Sequence, residues 1–95
     1  MKDIFTVHLT LKAKKDLKKV PLHIAINFQA WIDEVMLRGV SEVRKISGYH
    51  DEPLKGKRKG QRSIRLSKSY RAFYIENKND EIQFLEVCEV NKHDY

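Results

Sequence analysis

Between Asp3 and Leu11 the apolar side chains fall on every second position. Phe5, Val7, Leu9 and Leu11 share one face, and Thr6, His8 and Thr10 the other. A period of two belongs to an extended chain half-buried on a sheet, so this segment is expected to be the first strand. From about Leu11 to Val20 the spacing changes. Leu11, Ala13, Leu17 and Val20 stand among lysines, which fits a short amphipathic helix ending before Pro21. Pro21 can sit in the first turn of the next helix, where its missing N–H is harmless. Ile24, Phe28, Trp31, Ile32 and Val35 then recur at steps of three and four, the strongest periodic signal in the chain. It predicts a core-facing helix from about Pro21 to Arg38. Gly39 supplies a stop, and Ser41 can cap a short helix running through Ile46 to Gly48.

The stretch from Tyr49 to Arg62 has no period and contains Pro53, Gly56 and Gly60. It reads as a long loop, and long loops in small domains are usually functional or disordered. Three strand candidates follow: Arg62 to Ser67, Tyr70 to Glu76, and Glu81 to Val90, with Asn77, Lys78, Asn79 and Asp80 as turn chemistry before the last. That last strand is apolar on both alternating sets, so it should be central or covered on both sides. The expected fold is therefore α+β: an N-terminal strand, two to three helices, then a three-stranded antiparallel meander, all in one sheet with the helices on one face. The first strand is expected to lie beside the last.

A chain of 95 residues is expected to form one domain, 1–95, with one core and little room for an enclosed cavity. Function should then sit on an open surface. The hydrophobic fraction of 41% suffices for a globule, while 34% charged residues demand a densely ionic exterior. The 19 Lys and Arg exceed the 13 Asp and Glu, giving a net charge of +6. The partners this charge suits are polyanions or an acidic protein. The lone Cys88 lies in an apolar run and reads as a buried, inert thiol. No Cys/His set has zinc-ligand spacing, and no metal or other cofactor is expected. The first residues lack the apolar core of a signal peptide, and no run approaches a membrane span. A cytoplasmic protein that does not engage membranes is expected.

Eight basic residues fall between Lys55 and Arg71 with no acid among them: Lys55, Lys57, Arg58, Lys59, Arg62, Arg65, Lys68 and Arg71. Folded into a meander, this run is expected to form one basic patch. Its side chains can meet successive phosphates, and the planar fork of arginine can take two phosphate oxygens at once. Lys57, Arg58 and Lys59 can equally be a solvated loop, whereas Arg65 and Arg71 interrupt strand faces. Tyr70 can stack on an unpaired base or be a half-buried strand tyrosine. Near the terminus, His93 can serve as a general acid or base and Tyr95 can stack, or both can belong to a polar tail. His50, opening the loop, ranks behind His93 as a candidate.

With these residues assembled, the chain resembles the RelE/ParE superfamily of toxins from type II toxin–antitoxin systems. EPLKG (Glu52 to Gly56), RSIRLSKSYRAFY (Arg62 to Tyr74) and EVNKHDY (Glu89 to Tyr95) carry the resemblance. The look is that of the RelE, YoeB and HigB-like mRNA interferases. The resemblance implies an enzyme that binds in the ribosomal A site and cuts mRNA without a metal. The ribose 2′-OH would attack the adjacent phosphate, a reaction needing a base, an acid and cations for the developing charge. It further implies Glu52 as base, Lys55 as the lysine of the same motif, Arg65 and Arg71 on the scissile phosphate, and His93 with Tyr95 at the acid end. In YoeB-like chains the tail closes His-Tyr, whereas here Asp94 intervenes. Lysines and arginines could instead supply base and acid, as in RelE-like members. The implied partners are the ribosome, mRNA and a cognate antitoxin with an acidic, amphipathic segment. A ParE-like poison of DNA gyrase, without nuclease chemistry, is the alternative the same fold allows. A plain RNA-binding domain would satisfy the basic patch alone.

Overall fold

A computed structural model describes residues 3–90 of the chain. The elements run β1 (Val7–Leu9), α1 (Leu11–Leu17), α2 (Leu22–Arg38), α3 (Val40–Val43), β2 (Glu52–Pro53), β3 (Arg62–Arg65), β4 (Tyr70–Glu76) and β5 (Ile82–Glu89), with 3-10 turns at Ser47–Tyr49 and Gly56–Arg58. They form one five-stranded sheet in the order β1-β5-β4-β3-β2. β1 runs parallel to β5, and the remaining pairs are antiparallel. The expected α+β arrangement is found, with the first strand beside the last and one strand more than anticipated.

The extra strand is β2, inside the segment that reads as loop. It is two residues long and pairs Glu52 with Ser63 and Pro53 with Arg62. β1 is shorter than its alternation suggests. Phe5 and Leu11 are 46% and 69% exposed, while Ile4, off the predicted face, is buried. The strand stops at Leu9 because Thr10, still bonded through its N–H to the Phe84 carbonyl at 3.1 Å, caps α1, its Oγ1 accepting from the Ala13 N–H at 3.2 Å. The short third helix also starts differently. Gly39 turns the chain at φ 86°, and the Asp3 carboxylate, not Ser41, accepts the exposed Ser41 N–H at 3.1 Å.

α2 places Ile24, Phe28, Trp31, Ile32 and Val35 against the sheet, as its period predicts. Phe28, Trp31, Tyr74 and Phe84 form an aromatic cluster with ring centroids 4.6–5.5 Å apart. Buried rings of this size supply much of a small core's stabilisation, about 1.5–3 kcal/mol each from area alone. A bulge between β4 and β5 shifts the register at Phe73/Tyr74. Ile82 and Phe84 face the core on one side of the bulge and Val87 on the other, so β5 looks apolar on both parities.

α1 lies along β5 where β1 no longer covers it. Thr10 Oγ1 donates to the Leu85 carbonyl at 3.1 Å, and the Asp16 carboxylate accepts the Val87 N–H at 3.0 Å. Side chains thereby satisfy strand groups that would otherwise be an open edge. The face of the sheet opposite α2 carries Glu52, Ser63, Arg65 and Arg71.

Candidate functional site

The β3–β4 pairing decides which basic residues share a face. Arg65 lies opposite Arg71, Ser63 opposite Phe73, and Arg62 opposite Tyr74. Because side chains alternate, Ser63, Arg65, Arg71 and Phe73 project from the open face, together with Glu52 from β2 and Glu86 and Cys88 from β5. Arg62 and Tyr70 fall on the other parity.

Arg71 is the centre of this face. It is only 7% exposed, and its Nη1 donates to Ser63 Oγ at 2.6 Å. The same nitrogen lies 3.6 Å from Glu52 Oε1, and Glu52 Oε2 lies 3.4 Å from His50 Nε2. Glu52 thus bridges a guanidinium and an imidazole, one oxygen to each. His50 reaches this place through a left-handed backbone, φ 46° and ψ 49°. A non-glycine residue held there signals a local constraint, and such constraints concentrate at functional sites. A cleft of about 210 Å³ opens between His50, Arg65, Ser67, Lys68 and Arg71. A second hollow of about 410 Å³ adjoins it on the far side of Arg71, with Glu52, Leu54, Arg58, Phe73 and Cys88 in its wall.

Two arginines directly opposite one another repel, and such like-charge pairs normally weaken a sheet. With Lys68 at the rim, the cleft gathers three cations beside the Glu52 carboxylate. A narrow positive concavity of this kind suits a phosphate, and the exposed Arg65 is the arm that can meet it first. A carboxylate and an imidazole beside a phosphate-sized cationic cleft can take up and release protons. Among the described residues, no group of three or more His, Cys, Asp and Glu side chains is placed to hold a metal ion.

The remaining sequence candidates are distributed differently. Arg62 turns to the helix side, where its Nε contacts Asp51 Oδ1 at 2.7 Å. Burial lowers the Arg62 guanidinium's proton affinity, but the bond and charge of Asp51 outweigh it and raise the net value. Tyr70 packs against the core from the helix side, and burial together with Glu89 raises its phenol. Arg58 remains on the open face. It lies 4.2 Å above the Phe73 ring and 3.2 Å from Glu86, so it is already stacked and paired. Lys55, Lys57 and Lys59 are exposed on the β2–β3 connection and line neither hollow. The single patch expected from the basic run is thus divided between two faces and a loop. His93 and Tyr95 lie outside the described residues. Cys88 falls short of the burial expected of it: it is half-buried in the wall of the second hollow, because the shift of register in β5 puts it on the open face, and burial, then Glu86, raises its thiol.

Sequence reasoning passed over Asp51. Its side chain is fully buried and accepts from the Tyr74 hydroxyl at 2.5 Å and from Arg62, with Arg44 Nε at 4.0 Å. The available signal was three titratable residues in a row, His50, Asp51 and Glu52, just before Pro53.

This small α+β sheet with one helical and one cationic face matches a known class. The chain belongs to the ParE toxin family, whose model, described as the ParE toxin of the type II toxin–antitoxin system parDE, matches residues 7–90. The protein is accordingly a toxin of a type II toxin–antitoxin system within the RelE/ParE superfamily. Comparison with curated proteins finds no match. Among solved structures, YafQ from E. coli strain BL21(DE3) is similar at TM-score 0.71 and 14% identity, covering 87% of this chain and 90% of that one. The archaeal RelE–RelB complex from Pyrococcus horikoshii OT3 is similar at TM-score 0.69 and 20% identity, covering 93% and 97%. The YoeB/ParE toxin from Agrobacterium tumefaciens is similar at TM-score 0.69 and 16% identity, covering 90% and 99%. At these identities the likeness is one of fold. Among the described residues, no helix is long and apolar enough to cross a membrane.

Proposed function

We propose that this toxin is a ribosome-dependent endoribonuclease that cuts mRNA in the A site. The observation that carries the reading is the opposed Arg65–Arg71 pair with Glu52 and His50 beside it on one open face. Arg65 and Lys68 hold the scissile phosphate from the rim, and Arg71, braced by Ser63, supports it from the floor. The ribose 2′-oxygen attacks phosphorus as its proton passes to the Glu52–His50 pair. The P–O5′ bond breaks, leaving a 2′,3′-cyclic phosphate on one fragment and a 5′-hydroxyl on the other. The guanidinium groups stabilise the charge that grows on the phosphorane oxygens. His93, Tyr95 and Lys55 belong to the same proposal as candidate proton donors to the leaving oxygen, and Lys57 and Lys59 as longer-range contacts to the strand. Expression in cells followed by mapping of transcript ends tests it: cuts at codon-associated positions within translated messages are expected, and intact messages in arrested cells would refute it.

The partner that restrains it is a cognate antitoxin. Three of the similar structures are toxin–antitoxin complexes: RelBE2 from Mycobacterium tuberculosis, RelE–RelB from P. horikoshii and DinJ–YafQ from E. coli. An acidic segment suits the cationic cleft. An apolar helix face suits α2, where Leu22, Ile26, Met36 and Leu37 are 56–76% exposed. At about 100° per residue these four fall on one stripe opposite the core.

A second reading, a gyrase poison without nuclease chemistry, is favoured by the family model being that of ParE. Accumulation of cleaved DNA–gyrase complexes with messages intact would support it.

A further inference from the structure

We propose that Asp51 is the positioning residue of the site: its buried carboxylate holds the His50–Glu52 segment at the depth and orientation that place both side chains beside Arg71. This inference rests on the endoribonuclease reading above.

Backbone bonds hold the segment mainly at its ends, where the His50 N–H donates to the Ser47 carbonyl at 3.0 Å and the Leu54 N–H to the Gln61 carbonyl at 2.9 Å. β2 is an edge strand of two residues, and one of them, Pro53, has no N–H to give the ladder. His50, just before it, sits in the left-handed region outside any ladder. Asp51 supplies the anchor that the ladder lacks. Its three partners belong to three elements: Tyr74 to β4, Arg62 to β3 and Arg44 to the C-terminus of α3. Tyr74 is itself fully buried against Trp31 and Phe84, so the anchor runs into the centre of the core. Arg44 Nε also donates to the Tyr74 hydroxyl at 3.2 Å, and Arg44 Nη2 lies 3.6 Å from Glu76.

The cluster is electrostatically closed. Two guanidinium groups face two carboxylates, Asp51 and Glu76, and the Tyr74 hydroxyl lies between. Burial, then Asp51, pushes the Tyr74 phenol far above its ordinary range, so its proton stays in place to donate to Asp51. A carboxylate this deep is retained only where its bonds are complete, and removing its charge leaves Arg62 and Arg44 out of balance. None of these five side chains lines the cleft. The effect on chemistry must therefore pass through the backbone to the residues on either side, which point to the opposite face and touch each other at 3.4 Å. Sub-ångström placement of a proton-transfer pair governs rate far more than it governs binding, because Arg65, Lys68 and Arg71 grip the strand independently.

The test measures single-turnover cleavage of mRNA on programmed ribosomes at saturating toxin, well below the melting temperature of each variant. Asp51→Asn is expected to remain folded with a lowered Tm, to cut at least tenfold more slowly, and to keep its half-saturating concentration within twofold. Val35→Ala, in the core away from the cleft, is the stability control: it should lose a comparable amount of Tm and keep the wild-type rate. Tyr74→Phe removes the hydroxyl that donates to Asp51 and accepts from Arg44 Nε, and is expected to slow cleavage about threefold, which provides a second measurement should Asp51→Asn fail to fold. Because Asp51 acts through its neighbour, the double variant D51N/E52Q should cut no more than twofold slower than Glu52→Gln alone. Wild-type rates in Asp51→Asn and Tyr74→Phe, with Glu52→Gln measurably slowed and Arg71→Ala inactive, would overturn the positioning role and leave the nuclease reading standing. So would a loss in the double variant equal to the product of the two single losses. Wild-type cutting by Glu52→Gln and Arg71→Ala would instead overturn the assigned site, and the positioning role with it.

Discussion

Arg65 and Arg71 face each other across the β3–β4 ladder, one exposed and the other 7% exposed, with the Glu52 carboxylate on the buried partner's side. Mutual repulsion across a ladder weakens pairing by about 0.2–1 kcal/mol. Arg65→Ala should therefore leave thermal stability unchanged or raise it by up to about that amount. The same variant should bind RNA more weakly. On a single strand, the slope of log K against log salt should fall by about 0.7 for every phosphate that Arg65 neutralises in the wild type. Melting curves and a salt titration of binding check both halves. A destabilised Arg65→Ala with undiminished affinity would point to a structural arginine.

His50 is held at positive φ, a conformation that disfavours side chains with a Cβ by roughly 1–2 kcal/mol. Replacement by glycine relieves that strain, less the extra freedom glycine gives the unfolded chain. His50→Gly should be as stable as wild type or up to about 1 kcal/mol more so, and more stable than His50→Ala. Both should cut slowly, since both lack the imidazole. Denaturant melts beside cleavage rates separate the two effects. Equal stability of the two variants would show that the left-handed backbone is not retained.

Asp16 links α1 to β5 through the Val87 N–H. Burial pushes its carboxyl up, but the Val87 N–H and the Lys12 ammonium, bonded at 3.0 Å, outweigh burial and leave it below the usual carboxylate range. A carboxyl lowered in the folded state stabilises the fold above its unfolded pKa, and that contribution is lost as pH falls through the folded value. Asp16→Ala should thus cost about 1–3 kcal/mol at pH 7, where it strands a strand N–H. The difference from wild type should shrink as acid is added below the carboxylate range. Urea melts at several pH values measure this, and a gap that widens in acid would contradict it.

Gly39 joins α2 to α3 at φ 86°, and a Cβ there would collide with the Asp3 carboxylate that accepts from Ser41. Gly39→Ala combines a disfavoured backbone with that clash and should destabilise by more than about 1 kcal/mol. Asp3→Ala should recover part of the loss in the double variant, because it removes the obstructing atoms. Additive losses in a double-mutant cycle would argue against the clash.

Much of the fold is legible in the amino-acid pattern because burial imposes it. Ile24, Phe28, Trp31, Ile32 and Val35 are spaced for one helix face and all five are buried, and β4 spans the residues its pattern predicts. Signals fail where tertiary contacts decide. β2 has no alternation to read and exists through its pairing with β3. The alternation of β1 continues in sequence past Thr10, where the chain has already turned into α1. Of the candidate site residues, Arg65, Arg71 and Glu52 share one face, but Arg62, an odd number of positions from Arg65, takes the opposite one. Strand parity already contains that information, and a dense run of charge conceals it. Asp51 was hidden for a related reason: a carboxylate in a loop-like stretch gives no sign that two arginines and a tyrosine, distant in sequence, will enclose it.

The most direct measurement uses the purified toxin, ribosomes halted with a defined codon in the A site, and end-labelled message. The proposed chemistry yields a cut within that codon bearing a cyclic phosphate upstream and a free hydroxyl downstream. That product should vanish with Arg71→Ala and should not form on the same message without ribosomes. An uncut message, in the presence of toxin that still arrests cells, would contradict the account.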